Sequence, residues 1–155
     1  MEALLARHSN APWYGEARTV MDQWTERIMA TEDPAVMEQM MATVLPFYMA
    51  HPDRPEVAAG LAEFRHHLKA DLSAGKAWEG GLYQTIDLRP ILTRISCPTL
   101  LIAGELDFIG GPAQARPMAA VVPGAQLLVI SDCGHSPVIE APAEYRRAVL
   151  EFLSS

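Results

Sequence analysis

Residues 97–137 read CPTLLIAGELDFIGGPAQARPMAAVVPGAQLLVISDCGHSP. Two short apolar runs, Thr99–Ala103 and Gln126–Ile130, flank a helix-like segment from Pro112 to Val122. Strand, helix, strand at this spacing predicts a βαβ unit, whose two strands must be parallel. The first run leads into Gly104-Glu105-Leu106-Asp107, the second into Ser131-Asp132-Cys133-Gly134-His135. In an open parallel sheet, chemistry gathers beyond the carboxyl ends of the strands. An acid and a histidine are therefore expected at one edge of the sheet, on neighbouring connections.

The G-E-x-D at the end of the first strand and the GHSP of Gly134–Pro137 resemble the C-terminal half of the α/β-hydrolase fold. Acid first and histidine second is the order that follows the nucleophile in these enzymes. The resemblance covers residues 85–153, and residues 1–84 match it as a helical cap. It implies an α/β fold: the C-terminal part of a hydrolase parallel sheet in βαβα order, preceded by an all-helical cap. Residues 1–80 would form the cap or lid. Residues 81–155 would form the core portion with the acid and histidine loops.

Three carboxylates compete for the acid role. Asp107 matches the family's acid position. Glu105, closer to the strand, is expected to support the loop, and Asp132 to cap or brace the histidine's own loop. The resemblance thus assigns Asp107 and His135 as acid and base of a catalytic triad. A serine hydroxyl is a poor nucleophile until a base accepts its proton. Histidine does this near neutral pH, and a carboxylate holds the ring in one tautomer and stabilises the imidazolium.

The family carries its nucleophile upstream, on a G-x-S-x-G elbow, and no serine of this chain lies in that frame. A two-stranded parallel sheet also cannot cover its own faces and edges. The expectation is therefore the cap and C-terminal portion of a larger hydrolase. Its partner would be an N-terminal portion carrying the nucleophile and oxyanion hole, or another copy of itself. The segment Asp87-Leu88-Arg89-Pro90 resembles the lead-in of prolyl iminopeptidases and simple esterases, which implies a small ester or amide, or a short peptide with N-terminal proline. An aspartate nucleophile would instead give haloalkane or epoxide opening. The rival class is a non-catalytic helical interaction module descended from a hydrolase.

Residues 1–75 read as helices throughout. Residues 1–8 suggest one or two turns. Val20, Met21, Trp24, Ile28 and Met29 recur at helical spacing and predict one amphipathic helix over 13–30. Asp33-Pro34 is an N-cap followed by proline at the first helical position, with Pro46 set to kink or divide the helix it starts. A third helix is expected over 56–73, burying Val57, Leu61, Phe64, Leu68 and Leu72 and closed by Ser73-Ala74-Gly75. Asp87 is expected to cap a short helix before the first strand. The abundant methionines fit a helical core or a lid over an apolar pocket, with Trp13, Trp24, Phe47 and Tyr48 as candidate substrate-lining residues.

The chain of 155 residues has the length of one ordinary domain, and its net charge of −7 argues against nucleic acid. No apolar run approaches a membrane span, and Met1-Glu2-Ala3 does not open a signal peptide, so the expectation is a cytoplasmic protein, or one whose leader was removed or was never part of this piece. Cys97 and Cys133 are expected at opposite ends of adjacent strands, on the order of 15–20 Å apart at ~3.3 Å per residue, too far for a disulfide. His66 and His67 are adjacent and face apart on a helix, His8 and His51 are expected to be solvated, and no metal or cofactor pattern is present.

Overall fold

The computed structural model describes residues 5–155, in two units. The first comprises Met1–Phe47 and Leu61–Asp87, the second Tyr48–Gly60 and Leu88–Ser155. The turns expected at residues 1–8 fall partly on residues 1–4, outside the described residues; Leu5 and Ala6 are helical.

The first unit is helical. The single helix expected over 13–30 is two, α1 (Tyr14–Asp22) and α2 (Trp24–Ala30), separated at Gln23, whose φ of −100° and ψ of 9° leave the helical region. Trp24 Nε1 and Thr25 Oγ1 both donate to the carboxylate of Glu79, anchoring the start of α2 by a contact that local periodicity does not encode. α3 (Pro34–Val44) begins as expected: the Asp33 side chain accepts from Ala35 N at 2.9 Å. Pro46 lies in a 3₁₀ segment, Leu45–Tyr48, that divides the helix there.

The helix expected over 56–73 is also two elements, α4 (Pro55–His67) and α5 (Leu72–Ala77). Asp71 starts the second, accepting from Ser73 N and Ala74 N. The hydroxyl of Ser73 and these amides hold the Asp71 carboxyl below its ordinary range. Gly75 therefore sits inside a helix and does not end one. Val57, Leu61 and Leu72 are buried, whereas Phe64 is 45% exposed. Ala17, Val20, Ile28, Met40, Val44, Pro46 and Phe47 are the buried apolar side chains of α1, α2, α3 and the 3₁₀ turn.

The second unit holds the sheet. β1 (Leu100–Gly104) and β2 (Gln126–Ile130) pair in parallel, Leu100 opposite Gln126 and Gly104 opposite Ile130. β1 starts one residue later than the apolar run suggested. The crossover helix α6 (Pro112–Val121) packs on both strands, and α7 (Pro137–Glu140) and α8 (Pro142–Leu153) pack on β1. The short helix before β1 is a 3₁₀ segment, Arg89–Arg94, whose N-cap is Leu88 and not Asp87.

Coverage of the strands is incomplete among the described residues, as expected for a two-stranded parallel sheet. Ala103, Gly104 and Ile130 are buried, but Leu100, Leu101, Ile102, Leu127, Leu128 and Val129 all keep part of their surface. Burial is concentrated at the carboxyl ends of the strands, where the two loops meet. There Gly104 packs so tightly that a Cβ would collide with the carbonyl oxygens of Gly134 and Cys133.

Candidate active site

The parallel ladder continues past the strands into the loops. Glu105 N donates to Ile130 O at 2.9 Å, Asp132 N to Glu105 Oε2 at 3.1 Å, and Leu106 N to Cys133 O at 2.8 Å. Glu105 thus braces the neighbouring loop from outside the acid position. The chain then turns, with Asp107 N on Gly104 O at 3.3 Å. Gly111 lets the following loop close over this turn, since a Cβ there would strike the carbonyl oxygen of Asp107.

These turns bring Asp107 and His135 together. His135 Nδ1 lies 2.9 Å from Asp107 Oδ2, and Asp107 Oδ1 accepts from Ile109 N at 2.8 Å. The Asp107 side chain is only 6% exposed, while the imidazole is 43% exposed. With Nδ1 donating to the carboxylate, the ring presents an unprotonated Nε2, for which no partner is found among the described residues. A ring oriented from behind by a buried acid, with its other nitrogen open, can take a proton from a hydroxyl brought to it.

Asp132 braces the histidine's loop through another segment. It has a φ of +54°, tolerable for an aspartate, and its carboxylate meets His51 Nε2 at 2.6 Å and Arg54 Nη2 at 2.9 Å. Those contacts, the His51 hydrogen bond first, hold its carboxyl below the ordinary range. His51, expected to be solvated, is a partner in this tether. The link joins residues far apart in sequence, and no local pattern announces it.

Of the four aromatic residues expected to line a pocket, Tyr48 belongs to the unit that carries Asp107 and His135. Its ring centroid lies 5.5 Å from that of His135 and 5.3 Å from that of Phe108. Burial pushes its hydroxyl above the ordinary range, and the charge of Asp107 adds to the effect. Trp13 and Phe47 pack edge to face in the helical unit, with Phe47 buried. Trp13 fronts an open cleft of about 290 Å³ with Glu16, Gln39, Thr43 and Arg65. Trp24 is bound to Glu79.

Glu140 was not marked by the sequence reading. Its Oε1 accepts from Gly134 N at 3.0 Å and Ser136 N at 3.3 Å, and its Oε2 from Ala50 N at 2.6 Å. The available signal was a lone carboxylate in the otherwise apolar run Val138-Ile139-Glu140-Ala141. Ile139 packs against Gly60, with its Cγ2 2.6 Å from where a Cβ would stand. Cys97 is exposed and Cys133 buried, both as free thiols. Among the described residues, no group of histidine, cysteine and acid is placed to hold a metal, and no helix is long and apolar enough to cross a membrane.

The family model described as "alpha/beta hydrolase fold" matches residues 10–142. The chain belongs to the α/β-hydrolase family. A Pseudomonas savastanoi protein named as a carbamate hydrolase, RutD, is 36% identical over 72 residues, 46% of this chain and 28% of its own. A pimeloyl-[acyl-carrier protein] methyl ester esterase of Stenotrophomonas maltophilia is 35% identical over 74 residues, 48% of this chain and 29% of its own. Among solved structures, the enol-lactonase of Burkholderia xenovorans superposes with a TM-score of 0.66 at 26% identity, over 86% of this chain and 51% of that one. This α/β-hydrolase chain thus spans about half of the enol-lactonase and less than a third of the two curated relatives it matches.

Proposed function

We propose that the chain supplies the acid, Asp107, and the base, His135, of a catalytic triad that hydrolyses a carboxylic ester or a related acyl compound. The observation that carries this is the 2.9 Å contact between His135 Nδ1 and Asp107 Oδ2, with Nε2 open. A hydroxyl nucleophile brought to Nε2 would lose its proton to His135 as it attacks the substrate carbonyl. Asp107 stabilises the imidazolium so formed. The imidazolium then protonates the leaving group, and a water activated by the same nitrogen cleaves the acyl-enzyme. These three relatives are named for carbamate, ester and enol-lactone substrates and none for a peptide, so we put an ester ahead of an N-terminal-proline peptide.

In this reading the nucleophile and oxyanion hole reside on an N-terminal hydrolase portion that adds strands to the sheet. The part-exposed apolar residues of β1 and β2 support such a partner. The helical segments act as a cap, with Tyr48 as a wall of the site and Trp13, Trp24 and Phe47 in the cap.

The test is reconstitution. The chain is co-expressed with the N-terminal portion of a related esterase, and hydrolysis of a p-nitrophenyl ester is followed. Activity is expected only from the assembled pair, and His135→Ala should lower kcat on the order of 10⁴-fold. Activity that survives that substitution overturns the assignment.

A further inference from the structure

We propose that Glu140 is a positioning residue for His135, its carboxylate fixing the backbone on both sides of the histidine so that Nδ1 stays on Asp107. The proposal rests on the reading of Asp107 and His135 as acid and base.

His135 is presented by three successive backbone amides, all of which are held. Gly134 N and Ser136 N donate to Glu140 Oε1 at 3.0 and 3.3 Å, and His135 N donates to Tyr48 O at 2.7 Å. The other oxygen of Glu140 takes Ala50 N at 2.6 Å. One carboxylate therefore bridges the histidine loop to the segment that supplies the third anchor. Hydrogen bonds to an ionised acceptor are the stronger kind, and here a single charge collects three of them. The fit is close: a Cβ on Gly134 would meet Tyr48 O, Ala50 N at 2.7 Å and Glu140 Oε1 at 2.9 Å. Glu140 is not hydrogen-bonded to the imidazole, so it acts only through the backbone. The 43%-exposed ring is flanked by Tyr48, whose centroid lies 5.5 Å away, and the held backbone amides add the constraint that keeps Nδ1 on the 6%-exposed carboxylate of Asp107.

The test uses the full chain labelled with ¹⁵N-histidine and reads the far-downfield Nδ1 proton of His135, identified by its loss in His135→Gln. Glu140→Gln keeps one oxygen for Gly134 and Ser136 and gives up Ala50. Glu140→Asp keeps the charge and loses the reach, and Glu140→Ala loses both. Exchange of the Nδ1 proton with solvent is expected to change less than threefold in Glu140→Gln. In Glu140→Asp and Glu140→Ala it should quicken at least tenfold or the signal should vanish. Val122→Ala, a core truncation at the end of α6, should lower the thermal midpoint without touching that signal. If the signal depends on Asp107 yet persists unchanged in Glu140→Asp and Glu140→Ala, Glu140 is merely structural and the proposal falls alone. If it survives Asp107→Asn, the acid–base pairing itself falls and takes the proposal with it.

Discussion

At Gly134 the chain has no room for a side chain, because the Tyr48 carbonyl, the Ala50 amide and Glu140 already occupy the space. Two of these three are backbone atoms, which cannot swing aside. Gly134→Ala should therefore cost about 3 kcal/mol, at the upper end of ordinary overpacking. Chemical denaturation of the variant against the parent chain measures this, and a loss below about 1 kcal/mol would show that the loop yields. The residues at this scale that were legible in sequence were Asp107, His135 and Glu105, because each follows a strand end at a fixed short offset. Glu140 and His51 were not. Glu140 bonds Gly134 and Ser136 nearby in sequence without any motif to mark it, while its contact with Ala50 and that of His51 with Asp132 join segments that meet only once the chain has folded.

Elements were legible where local chemistry alone decides them. The two strands and their parallel order followed from apolar runs bounded by glycine and proline, and α3 from Asp33-Pro34. The helix breaks at Gln23 and before Leu72 were missed because apolar spacing continues in phase across both. Tertiary contacts bear on both: Glu79 binds Trp24 and Thr25 at the first, and Glu38 accepts from Ala70 N at the second, where Asp71 also caps the new helix locally. Moving Gly75 from a helix end to a helix interior changes what its substitution should do. Alanine there gains roughly 0.5–1 kcal/mol of helix propensity. The added Cβ clashes with the flexible end of Met37, its Sδ and Cε at 2.8 Å, which can turn away, and touches Ile28 Cγ2 at an ordinary 3.8 Å. Gly75→Ala should thus be neutral or raise the thermal midpoint by a few degrees. A drop would mean that Met37 is locked in place.

Over the whole molecule, the tether from Asp132 to His51 and Arg54 ties the histidine loop to the segment that follows the 3₁₀ turn. Its stability has a definite pH signature. A carboxyl whose folded pKa lies below its unfolded one contributes fully above the ordinary aspartate value of about 3.9. It loses that contribution as pH falls further, through the folded pKa. The gap in thermal midpoint between the parent chain and Asp132→Asn should therefore be widest near neutrality and close on acidification below that value. A gap that persists in acid would show that neutral hydrogen bonds, and not the carboxylate charge, carry the tether. Fold class was readable at this scale because two strands, a crossover and two loop motifs suffice to place an α/β-hydrolase core. The incomplete cover of the strands followed from their number, but an apolar strand sequence says only that it needs cover and never where the cover comes from.

The two sulfurs divide along the sheet. Burial, reinforced by the charges of Glu140 and Asp107, pushes the Cys133 thiol up to about 12, whereas Cys97 stands exposed just before β1. Only thiolates are readily oxidised or alkylated. Of the two cysteines, an oxidant or electrophile therefore meets Cys97, roughly a strand's length, about 17 Å, from the histidine loop. Cysteine chemistry and the Asp107–His135 pair are kept at opposite ends of the same short ribbon. The sulfur nearest His135 is the one that environment has made inert.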